Sequence, residues 1–200
     1  MTAALQAAAA NTAIRLVDEG RKVKPTDIFS ARDLDATPVP APAYKDERVT
    51  VSSVENTHFP EESKQRMPYR SLSYRFDCPG RSIVLSGDTA YSKGLVELAR
   101  GADVLVCEAM EVASERQEFD RRVANGAYAD NPEGIWAHIA GTHTSTVDAG
   151  RMAAEAGVKT LVLNHLLPGS LLAISDDAYV KGVREHFKGE VIVGKDLMVI

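Results

Sequence analysis

With 200 residues, 44% of them hydrophobic and 26% charged, the chain is long enough to bury a sizeable core and is neither disordered nor fibrous in composition. A formal net charge of -5 without a dense Lys/Arg block argues against non-specific nucleic-acid binding, since a polyanion is attracted by clustered cations. Two distant cysteines, Cys78 and Cys107, exclude a disulfide framework and read as small buried apolar residues of a reducing, cytoplasmic compartment. No apolar run approaches the ~20 residues that cross a bilayer, and the opening residues lack the basic start of a signal peptide.

In chain order, residues 3 to 19 are alanine-rich and predict a helix stopped by Gly20. Residues 33 to 48 carry Pro38, Pro40 and Pro42 at alternate positions and read as an extended linker or surface loop. The chain thus divides into a helix and linker over 1 to 48 and a folded domain over 49 to 200. RVTVSSVEN predicts a strand leading to His58, and SLSYRFDCPGRSIVLSGD a hairpin turned at Pro79-Gly80. A helix over 92 to 100, a strand over 102 to 109 and a polar, insertion-like segment over 111 to 137 follow. STVDAGRMAAEAG predicts a helix capped by Ser and Thr and stopped by Gly157. LVLNHLLPG then reads as a buried parallel strand, a helix spans 176 to 187, and EVIVG and LMVI close the chain as short strands.

Four of these strands lead to a residue that can bind a metal or move a proton: His58, Asp88, Glu108 and His165. The carboxyl ends of strands are where open α/β sheets build their sites. Each has a plainer reading. Asp88 in Ser-Gly-Asp-Thr is as readily a turn residue, and a lone His165 is commonly a hydrogen-bonded structural group. Glu108 after an apolar run is costly unless partnered, and His143 just before a helix is a fitting partner, because a carboxylate fixes an imidazole's tautomer. The alternative is a loop glutamate and a helix-entry histidine. His138 and His186 read as surface residues, and the hydroxyls of HTSTVD as helix caps, since no Gly-x-Ser-x-Gly turn precedes them.

Taken in succession, VENTHFP, YRFDCPGRSIVLSGDT, GADVLVCEAM, AGTHTSTVDAGRMAAEAGVKTLVLNHLLPG and GEVIVGKDLMVI resemble the metallo-β-lactamase-fold hydrolases, in the branch similar to ribonuclease Z and arylsulfatase-like enzymes. The match covers residues 49 to 200. It implies an α/β (α+β) fold, an αββα sandwich of two mixed sheets flanked by helices, with a centre of two divalent ions, commonly zinc, that activates water. By this resemblance His58 is a histidine on the first metal, Asp88 the aspartate bridging both, and His165 the last histidine on the second. Glu108 and His143 match the acid–histidine pair beside the metals, with His143 stabilising charge or protonating the leaving oxygen.

The chain departs from that family at its most recognisable element. His-x-His-x-Asp-His is absent, for the five histidines are 58, 138, 143, 165 and 186. The resemblance then implies the C-terminal part of the enzyme, an incomplete sandwich with partial or no metal occupancy and little activity alone. Its partner is the missing N-terminal half, another chain, or a second copy joined through an apolar patch on VTVSSV, SIVLS or DVLVC. The short interval from His58 to Asp88 leaves no room for a tRNA-gripping arm, and Phe119, Tyr128 and Trp136 suit a cap over a small molecule. The expected substrate is therefore a small ester, sulfate ester, phosphodiester or lactone. A ribonuclease Z-like tRNA 3′-end endonuclease and a non-catalytic split partner are the alternatives.

Overall fold

The computed structural model describes residues 9–20, 22–23, 33–169 and 174–200. The chain divides into two units, Met1–Asp35 and Ala36–Ile200. In the first, α1 (Ala9–Asp18) falls within the alanine-rich stretch, where side-chain entropy opposes helix formation least. The expected helix over residues 3 to 8 lies outside the described residues.

The second unit is built on one seven-stranded sheet, with β1 (Ala41–Lys45), β2 (Thr50–Glu55), β3 (Leu72–Cys78), β4 (Arg81–Leu85), β5 (Val104–Met110), β6 (Thr160–Leu167) and β7 (Glu190–Val193) side by side in chain order. Strands β1 to β4 pair antiparallel, and β4 to β7 pair parallel. The change of direction follows from the connections: Pro79-Gly80 closes a tight hairpin with Gly80 at φ 80°, whereas helices separate the later strands. These helices are α3 (Lys93–Ala99), α4 (Val112–Ala124), α5 (Pro132–Thr142), α6 (Thr146–Ala156) and α7 (Asp176–Val183); a short α2 (Glu61–Arg66) precedes β3.

One core joins the sheet to α3, α6 and α7. Val84, Leu105, Cys107, Leu161 and Leu163 from the strands pack with Leu95, Met152 and Phe187. Burying side chains of this size contributes about 1.5–3 kcal/mol each before conformational entropy is charged against it. Helices α6 and α7 approach closely because Gly150 and Gly182 have no side chains; a Cβ at Gly150 would overlap the backbone of Val183. Ser145 caps α6 by accepting from the Asp148 amide at 3.0 Å, and Gly157 ends it at φ 68°, in the left-handed region.

Several sequence expectations are corrected here. The proline-rich stretch is not all linker, since Ala41–Lys45 pairs with β2 as an edge strand. Proline is tolerated at an edge, and the register shifts between Pro42 and Tyr44. LMVI is not a strand: residues 197 to 200 pair with nothing in the sheet, and Leu197 and Val199 are fully or nearly fully exposed. Cys78 is exposed at the hairpin turn, while Cys107 is buried as expected. The insertion-like segment is a pair of helices, Val112–Ala124 and Pro132–Thr142, and His138 lies exposed on the second. The contiguous apolar patch is not seen either. Of the large apolar side chains in VTVSSV, SIVLS and DVLVC, only Leu85 is exposed, at 40%. Among the described residues no helix is long and apolar enough to cross a membrane.

Candidate metal centre

The site forms where the parallel strands end. After β4, the ladder continues one residue, with the Ser86 amide donating to Val106 O at 2.9 Å. Gly87 then turns the chain at φ 61°, in a space where a Cβ would press on the Leu72 carbonyl oxygen at 3.3 Å. Asp88 follows on this turn. A second tie comes from Asn56, whose side-chain amide donates to Ser86 O at 3.0 Å while its oxygen accepts from the His58 amide at 3.2 Å. The loops after β2 and β4 are thereby fixed to each other.

Glu108 lies inside β5 rather than at its end, and is 1% exposed. Such a carboxylate is costly to bury unless both oxygens are engaged. Here Oε1 accepts from the Thr89 amide and Oε2 from His143 Nδ1 at 2.7 Å. Because a carboxylate only accepts, Nδ1 of His143 carries the proton and Nε2 keeps the free lone pair. The Glu108 hydrogen bond, against an opposing effect of burial, raises the His143 pKa above the ordinary imidazole value. The loop holding His143 is tied down as well: Met110 N donates to Thr144 O at 2.8 Å, and the Thr144 hydroxyl donates to the Thr89 carbonyl.

His165 reaches the site by a different device. Strand β6 runs on to Leu167, so His165 is not its last residue. Glu108 pairs with Asn164 and Ala109 with Leu166, which makes His165 the extra residue of a β-bulge, with φ at 41°. A non-glycine residue in the left-handed region is uncommon, and bulges re-aim side chains beside functional sites. The imidazole is 49% exposed, with Nε2 3.8 Å from Asp88 Oδ2 and Nδ1 3.8 Å from Glu108 Oε2.

Asp88, His143 and His165 each offer a ligating atom, all within 4.8 Å of one another. The rings of His143 and His165 are stacked, 6° from parallel with centroids 5.7 Å apart. His58 stands beside this group without joining it: its ring lies 5.4 Å from that of His143, and its Nδ1 is 3.2 Å from the Thr142 carbonyl oxygen. His138 and His186 are exposed and outside it. Two imidazole nitrogens and a carboxylate oxygen are a donor set suited to zinc, with manganese or iron as alternatives. A cavity of about 430 Å³ opens beside His165, lined by Val162, Asn164, Leu166, Met198 and Ile200 among others.

The aromatic residues expected to cap a substrate are instead occupied with one another. Phe119 is 1% exposed, stacked on Tyr128 at 5.2 Å and tilted against Trp136 at 5.5 Å, with the Arg116 guanidinium 5.0 Å over the Trp136 ring. They form the core of the α4–α5 hairpin. Sequence reading missed Asn56, whose side chain accepts from the backbone amide two residues on in an Asx turn, and the buried Glu115 on α4, which carries no local signal.

Comparison with known proteins places this architecture. The chain is 36% identical over 125 residues to an uncharacterized protein of Mycobacterium leprae, covering 62% of this chain and 35% of that one. It is 33% identical over 127 residues to ribonuclease Z of Mycobacterium avium, covering 64% and 40%. The chain therefore spans well under half the length of these relatives. Its fold is similar to that of the metallo-β-lactamase fold protein YhfI from Bacillus subtilis, with a TM-score of 0.51 and 21% identity over 78% of this chain and 50% of the other. Residues 6–166 match the model of the β-lactamase superfamily domain, and the chain belongs to that family.

Proposed function

We propose that this chain supplies one wall of the active site of a metal-dependent hydrolase that cleaves small phosphodiesters or related oxygen esters. The convergence of Asp88, His143 and His165, braced by the buried Glu108, carries the reading. Asp88, His143 and His165 would hold a divalent ion, which would supply Lewis acidity and lower the pKa of water at the cluster. The chain's own groups do the positioning. Glu108 fixes the tautomer of His143, the bulge at His165 turns its imidazole toward Asp88, and Gly87 lets Asp88 follow β4 without a linker.

The name of the M. avium relative supports a phosphodiester bond as the target. The small size of the substrate rests on two features. Only α2 and the β3–β4 hairpin lie between His58 and Asp88, and the cavity beside His165 is of small-molecule size.

The test mixes the chain with an N-terminal polypeptide carrying His-x-His-x-Asp-His and follows bis(4-nitrophenyl) phosphate with zinc or manganese. Turnover should require metal, stop with a chelator and fall about 100-fold or more in Asp88→Ala. Turnover indifferent to Asp88→Ala would sink the reading. Faster cleavage of 4-nitrophenyl sulfate, or of a 3′-extended tRNA, would overturn the substrate assignment.

A further inference from the structure

Resting on the hydrolase reading, we propose that Asn56 and Thr89 are positioning residues, buried side chains that hold His58 in register with Asp88 and with the Glu108–His143 pair. The need for such a device follows from the sheet. Strand β2 ends at Glu55 and β4 at Leu85, so His58 and Asp88 each lie three residues beyond the end of their strands. Nor are β2 and β4 neighbours, since β3 runs between them.

Two polar side chains span that gap. Asn56 is 1% exposed. Its Nδ2 donates to the Ser86 carbonyl oxygen at 3.0 Å and to Ser73 Oγ at 3.3 Å, while its Oδ1 accepts from the His58 amide at 3.2 Å. One planar amide thus sets the backbone of His58 against the strand end that leads into Asp88. Thr89 is fully buried, and its Oγ1 accepts from the Thr57 amide at 3.2 Å. Its own amide donates to Glu108, and its carbonyl oxygen accepts from the Thr144 hydroxyl. The residue after Asp88 is therefore bonded to the residue before His58, to the brace of His143 and to the residue after His143.

Burying an amide or a hydroxyl gains little net stability even when every bond is made, and an apolar side chain of the same shape would serve a core as well. What it could not do is fix loop backbone. The bonds of these two side chains join the loops that carry His58 and Asp88. Misplacing a reacting group by about 1 Å costs about 100-fold in rate, and that is the displacement these ties oppose.

The experiment removes the ties with Asn56→Leu and Thr89→Val, which keep the approximate shapes, and keeps the hydroxyl with Thr89→Ser. The first readout uses the 200-residue chain. In the unmodified chain, nuclear Overhauser spectra should show contact between the rings of His58 and His143, whose centroids are 5.4 Å apart. Thr89→Val should lose that contact and Thr89→Ser should keep it. The Nδ1 proton of His143, held by Glu108, should persist in both, because Glu108 is tied through the Thr89 backbone amide. The second readout mixes each variant with the N-terminal polypeptide carrying His-x-His-x-Asp-His and follows bis(4-nitrophenyl) phosphate with zinc. Thr89→Val and Asn56→Leu should lower kcat about 100-fold with KM little changed, and Thr89→Ser should recover most of the rate.

A merely structural role predicts instead that all histidine signals weaken together while kcat per folded molecule is unchanged. That result overturns the proposal, as does a His58–His143 contact that survives Thr89→Val. If Asn56→Leu fails to fold, the two Thr89 variants decide. If no mixture turns the ester over, the hydrolase reading falls, while the ring contact still decides the positioning.

Discussion

Glu108 and Glu115 are both buried, at 1% and 3% exposure, yet they belong to regions built on opposite terms. Around Glu108, inside β5, each carboxylate oxygen has a donor and the surrounding loops are tied to one another. Glu115 lies in the α4–α5 hairpin, where the neighbouring Glu118 takes the arginines. Arg121 and Arg122 reach Glu118 at 2.6 to 2.8 Å and hold its carboxyl down to about 2 through hydrogen bonds. Glu115 is left with Oε2 unpartnered, and burial pushes its pKa up. A buried acid is thus an anchor in one region and a liability in the other. What separates them is whether the local backbone and side chains supply donors.

The hairpin also stands outside the sheet's core. Helix α4 packs on α5, and neither contributes a residue to the core formed with the sheet. Its ends are tied to the strand-end region, with Glu111 N donating to Leu167 O at 2.8 Å before α4 and His58 Nδ1 3.2 Å from the Thr142 carbonyl oxygen at the end of α5. The hairpin and the strand-end site should therefore respond differently to comparable damage.

The largest effect is expected for Glu108→Ala. It strands the Thr89 amide and the His143 imidazole at once, and breaking a buried, hydrogen-bonded charge of this kind costs about 3–4 kcal/mol. Denaturant titration of the metal-free chain should show that loss in the global transition, with near-unchanged slope. A loss below about 1 kcal/mol would mean that water or another donor already serves those groups.

Phe119→Ala removes the centre of the hairpin's aromatic cluster, which on its own would cost about 3 kcal/mol. The loss should stay local. Limited proteolysis is expected to cut within residues 112 to 142, while the global transition moves by less than about 1 kcal/mol. A full shift of the global transition would show that hairpin and sheet unfold as one unit.

The helix caps allow a finer version of the same comparison. Ser145 caps α6, which lies in the sheet's core, and Asn131 caps α5 by accepting from the Gly134 amide at 3.0 Å. Replacing either by alanine costs about 1 kcal/mol of its helix. For Ser145→Ala this should appear in the global transition, and for Asn131→Ala in the protease sensitivity of the hairpin alone.

Much of this division was legible in the sequence, for identifiable reasons. Strands β4, β5 and β6 announce themselves as continuous apolar runs because parallel strands of this kind are buried. The Glu108–His143 pair could be inferred because a charge after an apolar run demands a partner. The bulge at His165 could not, since it depends on the register of β6 against β5 and no glycine marks the positive φ. Strand β1 was hidden by its prolines, which exclude a central strand but not an edge. The aromatic residues of the hairpin were recognised as a group, but whether they face a ligand or one another is a matter of tertiary packing. The same holds for the partition of Arg121 and Arg122 toward Glu118 rather than Glu115.

The smallest effect discriminates most sharply between the two glutamates. Glu115 has a folded-state pKa above its unfolded value, so folding penalises its ionised form. Below about pH 4.5 both states are protonated and no penalty exists; as pH rises through the raised folded pKa, the native state loses stability until the penalty is complete. His143 has the same direction of shift with the opposite meaning. Its charged form is the favoured one, so it stabilises the metal-free chain below about pH 6.5, and that contribution is lost as pH rises through its folded pKa. Glu115→Gln keeps the shape and removes the charge. It should match the unmodified chain at pH 4 and become more stable by up to about 1 kcal/mol at pH 8, measured by urea titration at each pH. Glutamine at Glu108 should do the reverse at every pH where His143 is protonated, since the imidazolium would lose its counter-charge. If Glu115→Gln were instead destabilising at pH 8, its buried oxygen would have to be meeting a donor, and the contrast between the two carboxylates would collapse.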